Sequence, residues 1–101
     1  MKAVFHMDES HKWNLVSANI RNLKKEATDI KVVVVVNAEA VQLFTNQAMQ
    51  LHTDVSYHIC KNSLVANHID EASLIKGITV VSSGVLDIVQ LQETGYRYIK
   101  P

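Results

Sequence analysis

The chain has 101 residues, 48% of them hydrophobic, which suits one folded domain over residues 1–101 and excludes a disordered chain. Ten basic residues balance ten acidic ones, so the formal net charge is zero. This excludes a general attraction to nucleic acid or to an anionic membrane, and it favours self-association. The single cysteine excludes an internal disulfide and indicates a reducing compartment, the cytoplasm.

No stretch of the sequence has the length of a targeting or membrane segment. The first apolar run is interrupted by His6 and Asp8, which leaves it too short for the core of a signal peptide. The most apolar run, Val32–Val36, is about a quarter of the length needed to cross a bilayer. We therefore expect neither a signal peptide nor a membrane span.

The first third of the chain predicts a strand, a helix and a second strand. Ala3–Phe5 is a short apolar strand, and Asp8 or Ser10 can cap the helix that follows. The apolar residues of this helix recur at spacings of three and four: Trp13, Val16, Ile20, Leu23 and Ala27. Ile30–Val36 is β-branched without alternation, which is typical of a strand buried on both faces.

The middle of the chain predicts a helix, a strand and a short helix. The first of these helices ends at about His52, and its apolar residues have helical spacing: Val41, Phe44, Ala48 and Leu51. Asp54–Cys60 then alternates between apolar and polar residues and predicts the third strand. Asn62 is a suitable N-cap for a short helix that includes Leu64–Ala66.

The last third predicts one more strand and helix. Asp70–Gly77 has the composition of a loop or a single helical turn, and Ile78–Val81 predicts a buried strand. Ser82–Gly84 opens a last helix, whose inner side is predicted to carry Val85, Ile88 and Val89.

A fifth strand closes the pattern. Gly95 suits the left-handed position after a helix, and Tyr96–Lys100 can form the strand. Strands and helices alternate along the whole chain, which predicts an α/β fold with three layers and right-handed crossovers. The order of the strands does not follow from this pattern.

Polar residues follow most of the predicted strands. Because the carboxyl ends of parallel strands lie at one edge of a sheet, we expect these residues to become neighbours. They are His6 and Asp8 after the first strand, Asn37 after the second, Cys60 to Asn62 after the third, and Ser82 to Gly84 after the fourth. This edge is the candidate binding site, with Cys60 as the candidate catalytic residue.

Cys60 lies at the predicted junction between a strand and a helix, where free N–H groups favour a thiolate. A thiolate can attack a polarised sulfur atom, and a persulfide can be passed on by thiol exchange. The alternative is a small buried hydrophobic residue, since free cysteine is often buried. His58 is on the same face of the strand, but two ligands are too few for a zinc ion, so no metal is predicted.

The other candidates also have ordinary structural interpretations. His6 can act as an acid or base, or simply end its strand. Asp8, Asn37 and Ser83 are suitable helix caps, so ligand contact is a second role for them. The sequence has no dinucleotide or triphosphate loop and no nucleophile elbow, so no cofactor is expected. The basic residues are scattered, which argues against a nucleic-acid partner.

Four segments together resemble the DsrE/DsrF-like family of small α/β proteins, and the match covers essentially the whole chain. They are Lys12-Trp13-Asn14 after the opening strand, the Val32–Val36 strand ending in Asn37-Ala38-Glu39-Ala40-Val41, Cys60-Lys61-Asn62-Ser63-Leu64, and Gly95-Tyr96-Arg97-Tyr98-Ile99-Lys100-Pro101. The chain is most similar to the small stand-alone members of that family.

The resemblance implies a five-stranded, mainly parallel sheet between helices, and assembly into a trimer or hexamer. It also implies a cytoplasmic sulfur-relay protein, a sulfurtransferase-like carrier that passes persulfide sulfur between a donor and an acceptor protein. Cys60 occupies the matching position for the carrier cysteine. Two alternatives remain open, which are a non-catalytic module that binds a small anion or a partner protein, and a redox sensor that uses its one thiol.

Overall fold

The computed structural model describes all residues from 1 to 101 and contains five strands and three α-helices. The strands are β1 (Lys2–Met7), β2 (Lys31–Val36), β3 (Val55–Cys60), β4 (Thr79–Val81) and β5 (Arg97–Ile99). The helices are α1 (Trp13–Glu26), α2 (Lys61–Ala66) and α3 (Gly84–Glu93), and 3₁₀ turns cover Ser10–Lys12, Ala38–Thr45 and Glu71–Ser73.

All five strands join one sheet in the order β4-β3-β2-β1-β5, and every pairing is parallel. The predicted α/β fold with a five-stranded, mainly parallel sheet is therefore confirmed. β2 is central and buried from Val32 to Val36, as its unbroken β-branched run predicts. No helix combines the length and the apolar character that crossing a membrane requires.

The two faces of the sheet are covered unequally. One face packs against α1, α2 and the 3₁₀ segment Ala38–Thr45, and it holds most of the core, including Phe5, Val34 and Tyr57. The other face carries a much smaller core beneath α3, formed by Val4, Val33, Val35 and Ile88. Cys60 belongs to this second face, because it and its strand neighbour His58 both contact α3.

The predicted helix from Asn37 to His52 is wrong beyond Thr45. Val41 and Phe44 are buried as predicted, but the segment is a 3₁₀ helix that ends at Thr45, and Ala48 is exposed. The side chain of Asn46 accepts the N–H of Ala48 at 3.0 Å. The N–H of Ala48 therefore bonds to this side chain and not to a backbone carbonyl one turn earlier, as it would in a helix. Asn side chains commonly end helices by competing in this way.

Two burial predictions near the end of the chain are also wrong. β4 is an edge strand with an exposed Thr79, so it is not fully buried. In α3 only Ile88 of the predicted inner residues packs on the sheet, while Val85 and Val89 are 64% and 48% exposed. The close approach of Gly84 to the sheet sets the rotation of α3, so that Gly84 and Ile88 face inward.

The structure corrects three predicted caps. Asp8 and Ser10 do not cap α1, because their side chains pair with Lys100 and Glu39. Asn62 lies inside the first turn of α2, and Cys60 occupies the N-cap position. Gly95 adopts the predicted left-handed conformation, with φ of 99°.

Candidate functional site

Cys60 ends β3, precedes α2 and is 5% exposed. Gly84, the first residue of α3, follows β4 and lies next to Cys60. A Cβ atom placed on Gly84 would lie 3.2 Å from Cβ of Cys60 and 3.4 Å from Cβ of Asn37. Two chain segments that are distant in sequence therefore meet around the thiol.

Several donors approach Sγ of Cys60. Burial by itself raises the pKa of the thiol, because it disfavours the charged form. The hydroxyl of Ser63 and the backbone N–H groups of Gly84, Ser63 and Asn62 act in the opposite direction and prevail, so the pKa lies below its usual value. Cys60 occupies the N-cap position of α2, but its side chain makes no capping hydrogen bond to the helix. Together these donors favour a thiolate at this position.

The hydroxyl of Ser63 is held in place by the end of β2. Its oxygen accepts the N–H of Ala38 at 2.8 Å, which leaves the hydroxyl hydrogen free to point at Sγ of Cys60. Ala38 has a left-handed backbone with φ of 51°, an uncommon conformation for alanine. The side-chain amide of Asn67 also donates to the Ala38 carbonyl, at 3.3 Å. The turn after β2 thus supports the site.

His6 and Asn37 are hydrogen-bonded to each other. Nε2 of His6 lies 2.9 Å from Oδ1 of Asn37, and Nδ1 of His6 lies 2.6 Å from the hydroxyl of Tyr98. The rings of His6 and Tyr98 are 5.8 Å apart. Asn37 occupies the predicted N-cap position of the 3₁₀ segment, but its side chain makes no capping hydrogen bond. Its side chain instead connects His6 with the surroundings of Gly84.

The remaining predicted site residues are dispersed. Asp8 forms an ion pair with Lys100 at 2.7 Å, and this hydrogen bond lowers the pKa of the carboxyl. Ser83 caps α3, since its oxygen accepts the N–H of Leu86 at 3.2 Å. The side chains of Asn62 and Ser82 are exposed, and Asn62 approaches the thiol through its backbone alone.

His58 has a partner that the sequence analysis did not identify. Its Nδ1 donates to Oδ2 of Asp87 in α3 at 2.7 Å, and both side chains are largely buried. The pair ties α3 to β3 two residues before the thiol. No group of three or more His, Cys, Asp or Glu side chains is arranged to hold a metal ion.

Two contributors to the site were missed by sequence reasoning: Ser63 and Tyr98. Ser63 had a signal, because it lies three residues after Cys60 and so faces it across the first helical turn. Gly84 was predicted to lie at this edge of the sheet, and the structure adds its close approach to Cys60 and Asn37. Tyr98 had none, because its contact with His6 depends on the pairing of β5 with β1.

The clefts of the surface lie away from the thiol. The largest, about 480 Å³, is lined by residues at the amino ends of β1 and β5, including Met1, Lys2 and Gly95. A second cleft of about 340 Å³ lies at the amino ends of β2 and β3 and includes Lys31 and Asp54. These sites are at the opposite edge of the sheet from Cys60.

The chain is similar to known proteins in both sequence and fold. A sequence model of the DsrE/DsrF-like family matches residues 2–101. Among solved structures, the chain is similar to the protein of unknown function MTH1491 from Methanobacterium thermoautotrophicum. The two share 31% sequence identity over 99% of this chain and 98% of that chain, with a TM-score of 0.85. A search of curated proteins found no match.

Proposed function

Because the chain belongs to the DsrE/DsrF-like family, which is associated with sulfur relay, we propose that it carries sulfur as a persulfide on Cys60. One observation supports this most directly. Four donors around Sγ lower the pKa of the Cys60 thiol in spite of its burial. A thiolate is the reactive form in sulfur exchange, so the site favours the chemistry that the proposal needs.

Loading is an exchange between a donor persulfide and the Cys60 thiolate. Sγ attacks the outer sulfur of the donor, a new S–S bond forms, and the old S–S bond breaks. The donor cysteine leaves as a thiolate, and Cys60 now bears the outer sulfur with its proton. No oxidant or reductant is consumed.

Delivery reverses this exchange towards an acceptor thiol. The acceptor sulfur bonds to the outer sulfur, the S–S bond to Cys60 breaks, and its electron pair remains on Sγ. The N–H groups of Gly84, Ser63 and Asn62 stabilise that charge, so Cys60 is a good leaving group. A protein with one cysteine can perform both steps when donor and acceptor are other proteins, in a reducing compartment such as the cytoplasm.

The test uses a cysteine desulfurase with isotopically labelled cysteine as the sulfur source. The wild-type chain is expected to gain one labelled sulfur atom, seen by intact-protein mass spectrometry and removed by a reductant. Cys60→Ser and Cys60→Ala are expected to gain none, and Ser73→Ala is the matched control that loads normally. Labelled Cys60→Ser would contradict the proposal, and an unlabelled wild-type chain would favour a binding module.

We also propose that the protein is a homo-oligomer, a trimer or hexamer, with α3 at the interface. α3 alone covers its face of the sheet, and its outer surface exposes Val85 at 64%, Leu86 at 50% and Val89 at 48%. Adjacent exposed apolar residues are typical of an interaction surface. Because the formal net charge is zero, two copies of the chain do not repel each other electrostatically.

Sedimentation velocity tests this assembly. The wild-type chain is expected to sediment as a trimer or hexamer, and Val89→Glu is expected to shift it to monomer because it places a charge in an apolar contact. Gln90→Glu introduces the same charge at the next, exposed position of α3 and serves as the control. A monomeric wild-type chain, or an unchanged Val89→Glu oligomer, would contradict the assignment of α3.

A further inference from the structure

A row of four side chains with chemical function crosses the carboxyl edge of the sheet beneath the start of α3. It consists of Cys60 at the end of β3, Asn37 after β2, His6 in β1 and Tyr98 in β5. These strands are consecutive neighbours in the sheet. Val36 pairs with Ile59, so the next residues, Asn37 and Cys60, are level with each other. His6 pairs with Val35 and Tyr98 pairs with Val4, so the row runs obliquely from the carboxyl ends of β3 and β2 into the middle of β5.

Hydrogen bonds fix the orientation of Asn37 within the row. Its Oδ1 can only accept, so the hydrogen between it and His6 lies on Nε2, at 2.9 Å. In the neutral imidazole Nδ1 then accepts from the hydroxyl of Tyr98, at 2.6 Å. Asn37 follows β2, which lies between β1 and β3, and its Oδ1 is bound by His6 of β1. Its Nδ2 makes no hydrogen bond within the protein and is available as a donor.

The side chains of Asn37 and Cys60 both begin beside Gly84. Their Cβ atoms lie 3.4 Å and 3.2 Å from the point where a side chain on Gly84 would begin. The groups that lower the pKa of the Cys60 thiol belong to Asn62, Ser63 and Gly84, and the side chain of Asn37 is not among them. Sγ thus has its own donors, and the amide of Asn37 remains for an atom bonded to Sγ.

We infer that Nδ2 of Asn37 donates a hydrogen bond to the outer sulfur of a Cys60 persulfide, and that His6 and Tyr98 are positioning residues that hold the amide. The inference rests on the proposed function. A persulfide anion concentrates its charge on the outer sulfur, and a hydrogen bond to a charged group is stronger than one between neutral groups. Hydrogen bonding from Oδ1 to His6 polarises the amide and strengthens its N–H as a donor.

Delivery remains balanced with Asn37 in this role. The proton of the acceptor thiol passes to the outer sulfur, and the resulting thiolate attacks that sulfur. The S–S bond to Cys60 breaks, Sγ retains the electron pair, and the acceptor leaves as a protonated persulfide. Asn37 neither gains nor loses a proton; it holds the charged outer sulfur until the acceptor arrives.

The experiment measures the lifetime of sulfur on Cys60. The folded protein is loaded with inorganic polysulfide, the excess is removed, and a small thiol is added at fixed concentration as the acceptor of the outer sulfur. Loss of the added sulfur atom is then followed by intact-protein mass spectrometry. Asn37→Ala is expected to lose sulfur about tenfold faster than wild type, because a hydrogen bond to a charged group is removed. Asn22→Ala, an exposed position of α1 on the other face of the sheet, is the matched control and should retain wild-type lifetime.

Further variants separate positioning from folding. Asn37→Asp keeps the acceptor for His6 but removes the N–H donor, so it is also expected to shorten the lifetime. His6→Leu and Tyr98→Phe are expected to shorten it by a smaller factor. His6→Gln should restore it towards wild type, because a glutamine amide can place a donor near the position of Nε2. In Asn37→Asp, His6→Leu and Tyr98→Phe, the factor by which the lifetime falls is expected to exceed the factor by which the alkylation rate of the unloaded thiol changes.

The outcomes separate the proposed sulfur carriage on Cys60 from the role of Asn37. A wild-type chain that takes up no sulfur would remove the proposed function and this inference together. If the wild-type chain retains sulfur, and Asn37→Ala and Asn37→Asp both retain it for as long as wild type does, only the role of Asn37 is overturned. Unchanged lifetimes in both His6→Leu and Tyr98→Phe would overturn the positioning roles.

Discussion

At the scale of single residues, Sγ of Cys60 experiences two opposed effects. Burial disfavours the thiolate, and the donors from Ser63, Gly84 and Asn62 favour it. Of these donors only the hydroxyl of Ser63 belongs to a side chain, so it alone can be removed by substitution without changing the backbone. Its orientation depends on Ala38, whose N–H it accepts at 2.8 Å.

We predict that iodoacetamide labels Cys60 with an apparent pKa below the free-thiol value of about 8.5. Ser63→Ala is expected to raise this apparent pKa, because the thiolate loses one hydrogen-bond donor. The measurement is the labelling rate as a function of pH. Ser73→Ala is the control, since the hydroxyl of Ser73 bonds only to the carbonyl of Asp70.

Two results would contradict this account of the thiol. An identical pH profile for Ser63→Ala and wild type would show that the hydroxyl does not act on Sγ. Labelling that becomes fast only when the chain unfolds would identify Cys60 as a structural cysteine.

At the scale of elements, the position of α3 controls the site. Its first residue, Gly84, lies against Cys60 and Asn37, and Asp87 one turn later binds His58 at 2.7 Å. Ser83 caps the helix at the same end. A change that frays the start of α3 would move the Gly84 N–H away from the thiol, so stability and reactivity are linked here.

The adjacent serines allow a matched test of the cap. Ser83→Ala is expected to lower the free energy of unfolding by about 1 kcal/mol, because the N–H of Leu86 loses its acceptor. Ser82→Ala is expected to have no measurable effect, since its exposed side chain makes no hydrogen bond that the fold depends on. Urea denaturation of both variants measures the difference. Equal effects would contradict the assignment of the cap to Ser83.

At the scale of the whole molecule, we expect His52 to make stability depend on pH. It packs beside Trp13, with ring centres 6.0 Å apart, and lies 2.7 Å from the hydroxyl of Ser17. Burial, together with the nearby charges of Arg21 and Lys24, lowers the pKa of His52 in the folded state. The folded protein therefore favours the neutral ring.

The sign of the pH effect follows from this preference. Below the unfolded pKa of about 6.5, the unfolded chain binds a proton that the folded chain resists, so stability falls with decreasing pH. We predict that His52→Gln loses less stability than wild type between about pH 7 and about pH 5. Denaturation at several pH values measures this, with the exposed His11→Gln as control. Parallel losses in His52→Gln and wild type would contradict the prediction.

Much of the fold could be predicted from the sequence because local pattern and tertiary environment agree there. Val32–Val36 has no polar residue, and such a strand is stable only in the middle of a covered sheet. The prediction failed at Val85 and Val89, where hydrophobicity indicated burial but the rotation of α3 exposes them. It failed again at Ala48, where the Asn46 side chain ends the helix.

The sequence by itself determined the alternation of strands and helices, the place of Cys60 at a strand-to-helix junction, and the set of polar residues after the strands. These properties depend on side-chain periodicity and turn chemistry within a few residues. Only the tertiary structure decided that Asn37, His6 and Tyr98 form a row with Cys60, and that Gly84 brings a fourth donor to the thiol. The strand order places β5 beside β1 and β2 beside β3, and contacts between residues so distant in sequence exist only once the sheet is assembled.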